Sequence, residues 1–148
     1  MIMIKNFLFK IASELNYELK EISLVESSVM RKALFEKYKV SESGFFLWDS
    51  FIPDSYLSNR DDSWLLLDEF IQFQETLIFF DRKVEPSFFQ FAQGQSIVSF
   101  LRSYQHDEYY ITNANLDYLI CSTDTGHQVA AGTARDWLEK QDLTVKLS

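Results

Sequence analysis

The chain has 148 residues and 17.4 kDa, is 47% hydrophobic and 24% charged, and carries 22 acids against 14 Lys and Arg for a formal net charge of −8. That length fits one domain able to bury roughly 70% of its unfolded surface, and the composition excludes a disordered, collagen-like or coiled-coil chain. A lone cysteine, Cys121, excludes a disulfide scaffold, four glycines leave little for phosphate-cradling loops, and the acidic balance disfavours nucleic acid and anionic membranes while suiting a basic protein partner.

In chain order, Lys5 and Lys10 interrupt the apolar N-terminus. It therefore lacks the unbroken run of about 7–15 apolar residues of a signal peptide. No stretch approaches the roughly 18 apolar residues of a membrane span, so the expected compartment is the cytoplasm. Ile4, Leu8, Ile11, Leu15, Leu19 and Ile22 recur at helical steps and predict a first helix, although Asn16-Tyr17-Glu18-Leu19 is also compatible with an extended segment. Ser23-Leu-Val-Glu26 has the form of a capping box, in which the hydroxyl takes one orphan N–H and the Glu returns to another. It predicts a second helix over about Leu24 to Lys39, with Met30, Leu34 and Tyr38 as its stripe. Ser41-Glu-Ser-Gly44 then breaks the pattern.

Beyond Phe45 the texture becomes short apolar runs. Trp64–Leu67 and Thr76–Phe80 read as buried strands. Ser96–Tyr104 reads as a helix. Asp107–Asn113, Tyr118–Ser122 and His127–Ala131 read as three strands whose short polar connections, Asn113–Asn115 and Thr123–Gly126, leave no room for crossover helices. These three are expected to form an antiparallel meander. Thr133-Ala-Arg-Asp136 caps a last helix with Trp137 and Leu138, ending near Gln141. Helices and strands are segregated, so the expected fold is a single α+β domain over residues 1–148, an antiparallel sheet packed against helices.

The sequence offers few residues with the spacing that chemistry requires. His106, Asp107, Glu108, Asp124 and His127 are candidate metal or hydrolase residues, but the two histidines lie 21 positions apart, and adjacent Asp107 and Glu108 face opposite sides of a strand. Cys121 with His127 is a formal nucleophile–base pair, yet the cysteine sits in an apolar strand with no electropositive niche. Gly-x-Ser-x-Gly is absent. No catalytic residue, metal or cofactor is therefore expected.

One segment stands out. Residues 41–81 hold nine acids against the single base Arg60, and so carry the net charge of the whole chain; they also hold 10 of its 24 aromatic residues. Aromatic rings provide contact area in protein interfaces, and carboxylates steer and orient a basic partner. The candidate partner-binding residues are Asp49, Asp54, Tyr56, Asp61, Asp62, Trp64, Asp68 and Glu69, with Trp48 as a further anchor. The alternative is that the rings fill the core and the acids form its solvated back.

Glu108-Tyr-Tyr-Ile-Thr112, Asp117-Tyr-Leu-Ile120, His127, Gly132 and Trp137 resemble a block in small acidic bacterial proteins, among them immunity components of toxin–immunity systems. The resemblance covers about the last 40 residues. It implies an α+β cytoplasmic binder rather than an enzyme. It supplies no catalytic residue. The reading that follows is a non-enzymatic binding protein, such as an immunity protein for a basic toxin. An acidic secretion chaperone, or a small hydrolase using His106, Asp107 and His127, is the alternative.

Overall fold

Periodicity in the first 40 residues becomes two helices with a short strand between them. The computed structural model describes residues 4–40, 55–58, 60–72, 74–93, 96–104, 108–123 and 126–147. Helix α1 (Ile4–Leu15) buries Leu8, Ile11 and Ala12. It stops at Asn16, which takes a left-handed φ of 58°, a conformation that a short polar side chain tolerates better than most. The later members of the apolar stripe therefore leave the helix, and Leu19 enters strand β1 (Leu19–Glu21). Helix α2 (Leu24–Tyr38) begins where the capping signal lies: Ser23 Oγ accepts the Glu26 N–H at 3.2 Å.

The rest of the chain supplies β2 (Tyr56–Leu57), α3 (Leu67–Ile71), β3 (Thr76–Phe79), β4 (Phe89–Phe91), α4 (Ser96–Ser103), β5 (Tyr110–Thr112), β6 (Tyr118–Ser122), β7 (Gln128–Gly132) and α5 (Thr133–Leu147). The seven strands form one sheet in the order β1-β4-β3-β5-β6-β7-β2, and every neighbouring pair is antiparallel. This is the expected α+β fold, with the expected β5-β6-β7 meander.

Two expectations change. Trp64–Leu67 is not a strand but a 3-10 turn (Ser63–Leu66) running into α3. A run of four apolar residues has no period of its own, so its form is set by what it packs on, and the residues after it are compatible with a helix. Asp68 and Glu69 occupy the first helical turn, where the helix dipole favours acids, and Leu67, Phe70 and Ile71 share one face. The last helix also continues past Gln141, to Leu147. The two-residue β2 and the three-residue β4 escape sequence reading because such strands are too short to display alternation.

Alternating side chains divide the core into two layers. Ile78, Phe89, Phe91, Ile111, Tyr118, Ile120 and Ala130 face one side, against Leu8 and Ile11 of α1, Leu67 and Ile71 of α3, Ile97, Phe100 and Leu101 of α4, and Ala134 and Leu138 of α5. Leu77, Phe79, Tyr110, Leu119, Cys121, Val129 and Ala131 face the other, against Leu34, Phe35 and Tyr38 of α2. Most of the helices thus share one sheet face, and α2 packs on the other.

Gly132 joins β7 to α5 at φ +70°, and an added Cβ would overlap the Asp117 carbonyl oxygen and sit 2.6 Å from the Tyr38 hydroxyl. Gly132→Ala is expected to cost about 1–3 kcal/mol through backbone strain and this overlap. Urea unfolding measures it, and an unchanged midpoint would refute the assignment of Gly132 as a conformational requirement.

Candidate functional site

The described part of the acidic segment begins at a sheet edge tied to the last helix. Strand β2 lies at the sheet edge, pairing Tyr56 with Ala130 and Leu57 with Val129. The Tyr56 hydroxyl donates to Asp142 Oδ2 at 2.6 Å, and the Ser58 hydroxyl donates to Asp142 Oδ1 at 3.0 Å. Asp142 is buried on α5, so one internal carboxylate ties the sheet edge to the last helix. Burial first, then the Asp142 carboxylate, pushes the Tyr56 phenol up to about 12. Ser58 Oγ also accepts the Arg60 N–H at 3.2 Å, and Arg60 Nε donates to Asp62 Oδ1 at 2.9 Å. That bond holds the Asp62 carboxyl below its ordinary range. Asp62 is exposed and Arg60 partly so, and solvent screening keeps the contribution of this ion pair to stability small.

The following turn and α3 separate rings from acids. Trp64 is half-buried and packs against the core. Phe70 meets Tyr118 edge-on at 5.0 Å between ring centroids and Trp137 at 5.1 Å, while Leu67 and Ile71 are buried. Asp61, Leu65, Asp68 and Glu69 are exposed. Leu65, Asp68 and Glu69 stand at i, i+3 and i+4, the spacing of one helical face. Among the described residues, Asp62 has an ion-pair partner in Arg60, whereas Asp61, Asp68 and Glu69 have none. The result is a ledge on which the exposed Leu65, Asp68 and Glu69 share one helical-face spacing, with the exposed Asp61 just ahead of the turn and Trp64 and Phe70 packed on the core.

Of the partner-binding candidates, Asp68 and Glu69 are exposed in the first turn of α3, Asp61 is exposed ahead of the 3-10 turn, and Asp62 is exposed and paired to Arg60. Trp64 supports the ledge from its inner side, and Tyr56 is committed to Asp142. Asp49, Asp54 and Trp48 lie outside the described residues. Sequence reasoning did not single out Leu65, Ser58 or Asp142. Asp142 did have a signal: it follows Ala134 and Leu138 at steps of four, an acid placed on a buried helical stripe.

The alternative chemistry resolves in part. His106, Asp107 and Asp124 lie outside the described residues. His127 is half-buried in the β6–β7 turn, where its N–H donates to Thr123 Oγ1 at 3.1 Å and its carbonyl accepts the Thr123 N–H at 2.8 Å. Among the described residues, no group of three or more His, Cys, Asp or Glu is arranged to hold a metal ion. Cys121 is fully buried, opposite Tyr110 on one side and Val129 on the other. Burial, with the Glu108 carboxylate adding to it, pushes its thiol well above the ordinary value. This is the reverse of what activates a nucleophile. No helix among the described residues is long and apolar enough to cross a membrane. No family model, curated protein or solved structure matches the chain.

Native Cys121 is expected to react with an aromatic disulfide reagent at pH 7.5 at about one-hundredth or less of its rate in denaturant, because both burial and protonation protect it. Rapid labelling of the folded chain would contradict this placement.

The tyrosines give a pH prediction. Burial leads the causes that raise Tyr17, Tyr38 and Tyr56 to about 12, and it raises Tyr109, Tyr110 and Tyr118 further. Their folded-state values exceed the unfolded value of about 10, so the stability they contribute is complete below about pH 10 and is lost as pH rises toward and beyond 12. Phenolate absorbance is expected to stay low at pH 10 and to rise together with unfolding. Ionisation of most tyrosines near pH 10 in a folded chain would refute it.

Proposed function

We propose that this chain is a non-enzymatic protein-binding module that recognises a basic partner through the ledge at Asp61, Leu65, Asp68 and Glu69. The observation that carries the reading is the exposure of three carboxylates without a neutralising cation among the described residues, in a segment that also exposes Leu65 and packs the half-buried Trp64 and Phe70 on the core. A rigid support lowers the ordering cost of binding, and uncompensated charge accelerates encounter with an oppositely charged surface. In its most specific form the module is an immunity protein: the carboxylates would occupy the phosphate-binding surface of a basic toxin such as a nuclease, and Leu65 would fill an apolar contact at the centre. The acidic surplus of the chain and the resemblance of its β5–α5 block to immunity components support that form.

The test uses the full chain and the partner it captures from its native cells. Association is expected to slow by about tenfold or more between 20 and 300 mM salt, because the Debye length contracts to well under 10 Å. Joint reversal of Asp61, Asp68 and Glu69 to Lys is expected to slow association by a further factor of about ten with the melting temperature nearly unchanged, since exposed carboxylates contribute little to stability. Reversal of the equally exposed Glu14, Glu18 and Glu26 is the matched control. Equal slowing by both triplets would show that net charge alone matters, and no slowing by the ledge triplet would refute the interface.

A further inference from the structure

The opposite sheet face carries a site of opposite sign. Along α2, on the side of the turn that precedes β4, lies a cavity of about 570 Å³. Among the described residues Arg31, Lys32 and Arg82 line it with three cations and Glu36 with one acid, in a protein whose overall charge is −8. Its apolar walls come from Leu24, Phe35 and Pro86. The exposure of Leu24 continues onto Val25 and Val29, also exposed on α2.

Arg31 gives the cavity a fixed back wall. It is 4% exposed, its Nη1 donates to the Phe80 carbonyl at 3.0 Å, and its guanidinium carbon lies 5.3 Å from the ring centroids of both Phe79 and Phe88. Guanidinium held in this way presents its charge without losing side-chain entropy on binding. Lys32 is a solvated charge on the same helix, and Arg82 comes from the turn facing it, so the cations converge from two elements. The volume lies within the roughly 300–1,000 Å³ of small-molecule sites, and apolar walls with a few convergent charges are their usual chemistry.

We propose that this cavity binds a small organic anion: a carboxylate, sulfonate or phosphate attached to an aromatic or aliphatic body. The anionic group meets Lys32 and Arg82 in front of Arg31, and the body lies on Phe35, Pro86 and Leu24. The site is independent of the acidic ledge, which belongs to the opposite face of the sheet.

The probe is 1-anilinonaphthalene-8-sulfonate, titrated against the full native chain by fluorescence, with the neutral N-phenyl-1-naphthylamine as its uncharged counterpart. The sulfonate is expected to bind saturably at one per chain. K32E/R82E is expected to weaken that binding at least about tenfold while leaving the neutral dye within about twofold, as a charge-assisted contact requires. K32E alone, at an exposed position, is expected to give an intermediate loss, which separates a binding effect from misfolding of the double variant. A melting curve accompanies each. Absence of saturable binding, equal sulfonate binding by all variants, or equal weakening of both dyes overturns the proposal. Displacement of the sulfonate by an octaglutamate peptide but not by naphthalene-1-sulfonate would assign the cavity to an acidic chain instead and would also overturn it.

Discussion

A buried guanidinium over a row of aromatic rings organises one whole face of this fold. Phe88, Phe79 and Tyr110 lie side by side across neighbouring strands, with Phe79 stacked on Phe88 at 4.3 Å and on Tyr110 at 5.1 Å. Arg31 descends from α2 onto this row and donates to the Phe80 carbonyl. Burying a cation costs several kcal/mol unless its surroundings compensate, and contact with ring faces returns about 0.5–2 kcal/mol each. The geometry is therefore demanding: α2 has to lie where the guanidinium meets both the rings and the carbonyl.

Two further polar side chains hold the same helix. Ser27 Oγ accepts the Phe88 N–H at 2.9 Å and donates to the Ile22 carbonyl, and the Tyr38 hydroxyl donates to the Leu116 carbonyl at 2.7 Å. These contacts bind the start, middle and end of α2 to chain segments that flank strands. They also explain an unusual partition of its residues. Ser27 and Arg31 point inward, while Leu24, Val25 and Val29 remain exposed, so α2 lacks a simple apolar face. The same row continues from Tyr110 to Cys121 and Val129, which places the lone cysteine within the ladder, away from solvent.

The two faces of the sheet have different consequences for function. On the many-helix face, α3 rests its apolar side on Tyr118 and Trp137 and turns its carboxylates outward. On the α2 face, Arg31 is both a structural anchor and the rear wall of a cationic cavity. Acidic and basic groups are thus placed on opposite faces of the sheet. An acidic ledge and a basic cavity coexist because a layer of closely packed side chains stands between them.

Most of the local structure was legible in the sequence by itself. The Ser23 cap, the α2 stripe, the Ser96 helix, the Thr76 strand and the C-terminal meander all follow from short-range rules, because capping, helical spacing and turn length act over a few residues. The concentration of acids in residues 41–81 was equally plain, and Asp61, Asp68 and Glu69 do lie outward. Only tertiary structure decided the rest. Trp64–Leu67 became a turn and helix because a short apolar run takes its form from what it packs on. Strands β1, β2 and β4 exist through pairing with distant partners, and Tyr56 is drawn inward by an aspartate 86 residues away. The meeting of Arg31, Lys32 and Arg82 around one cavity likewise requires α2 to be seated on the sheet, and sequence spacing carries no record of where a helix is seated.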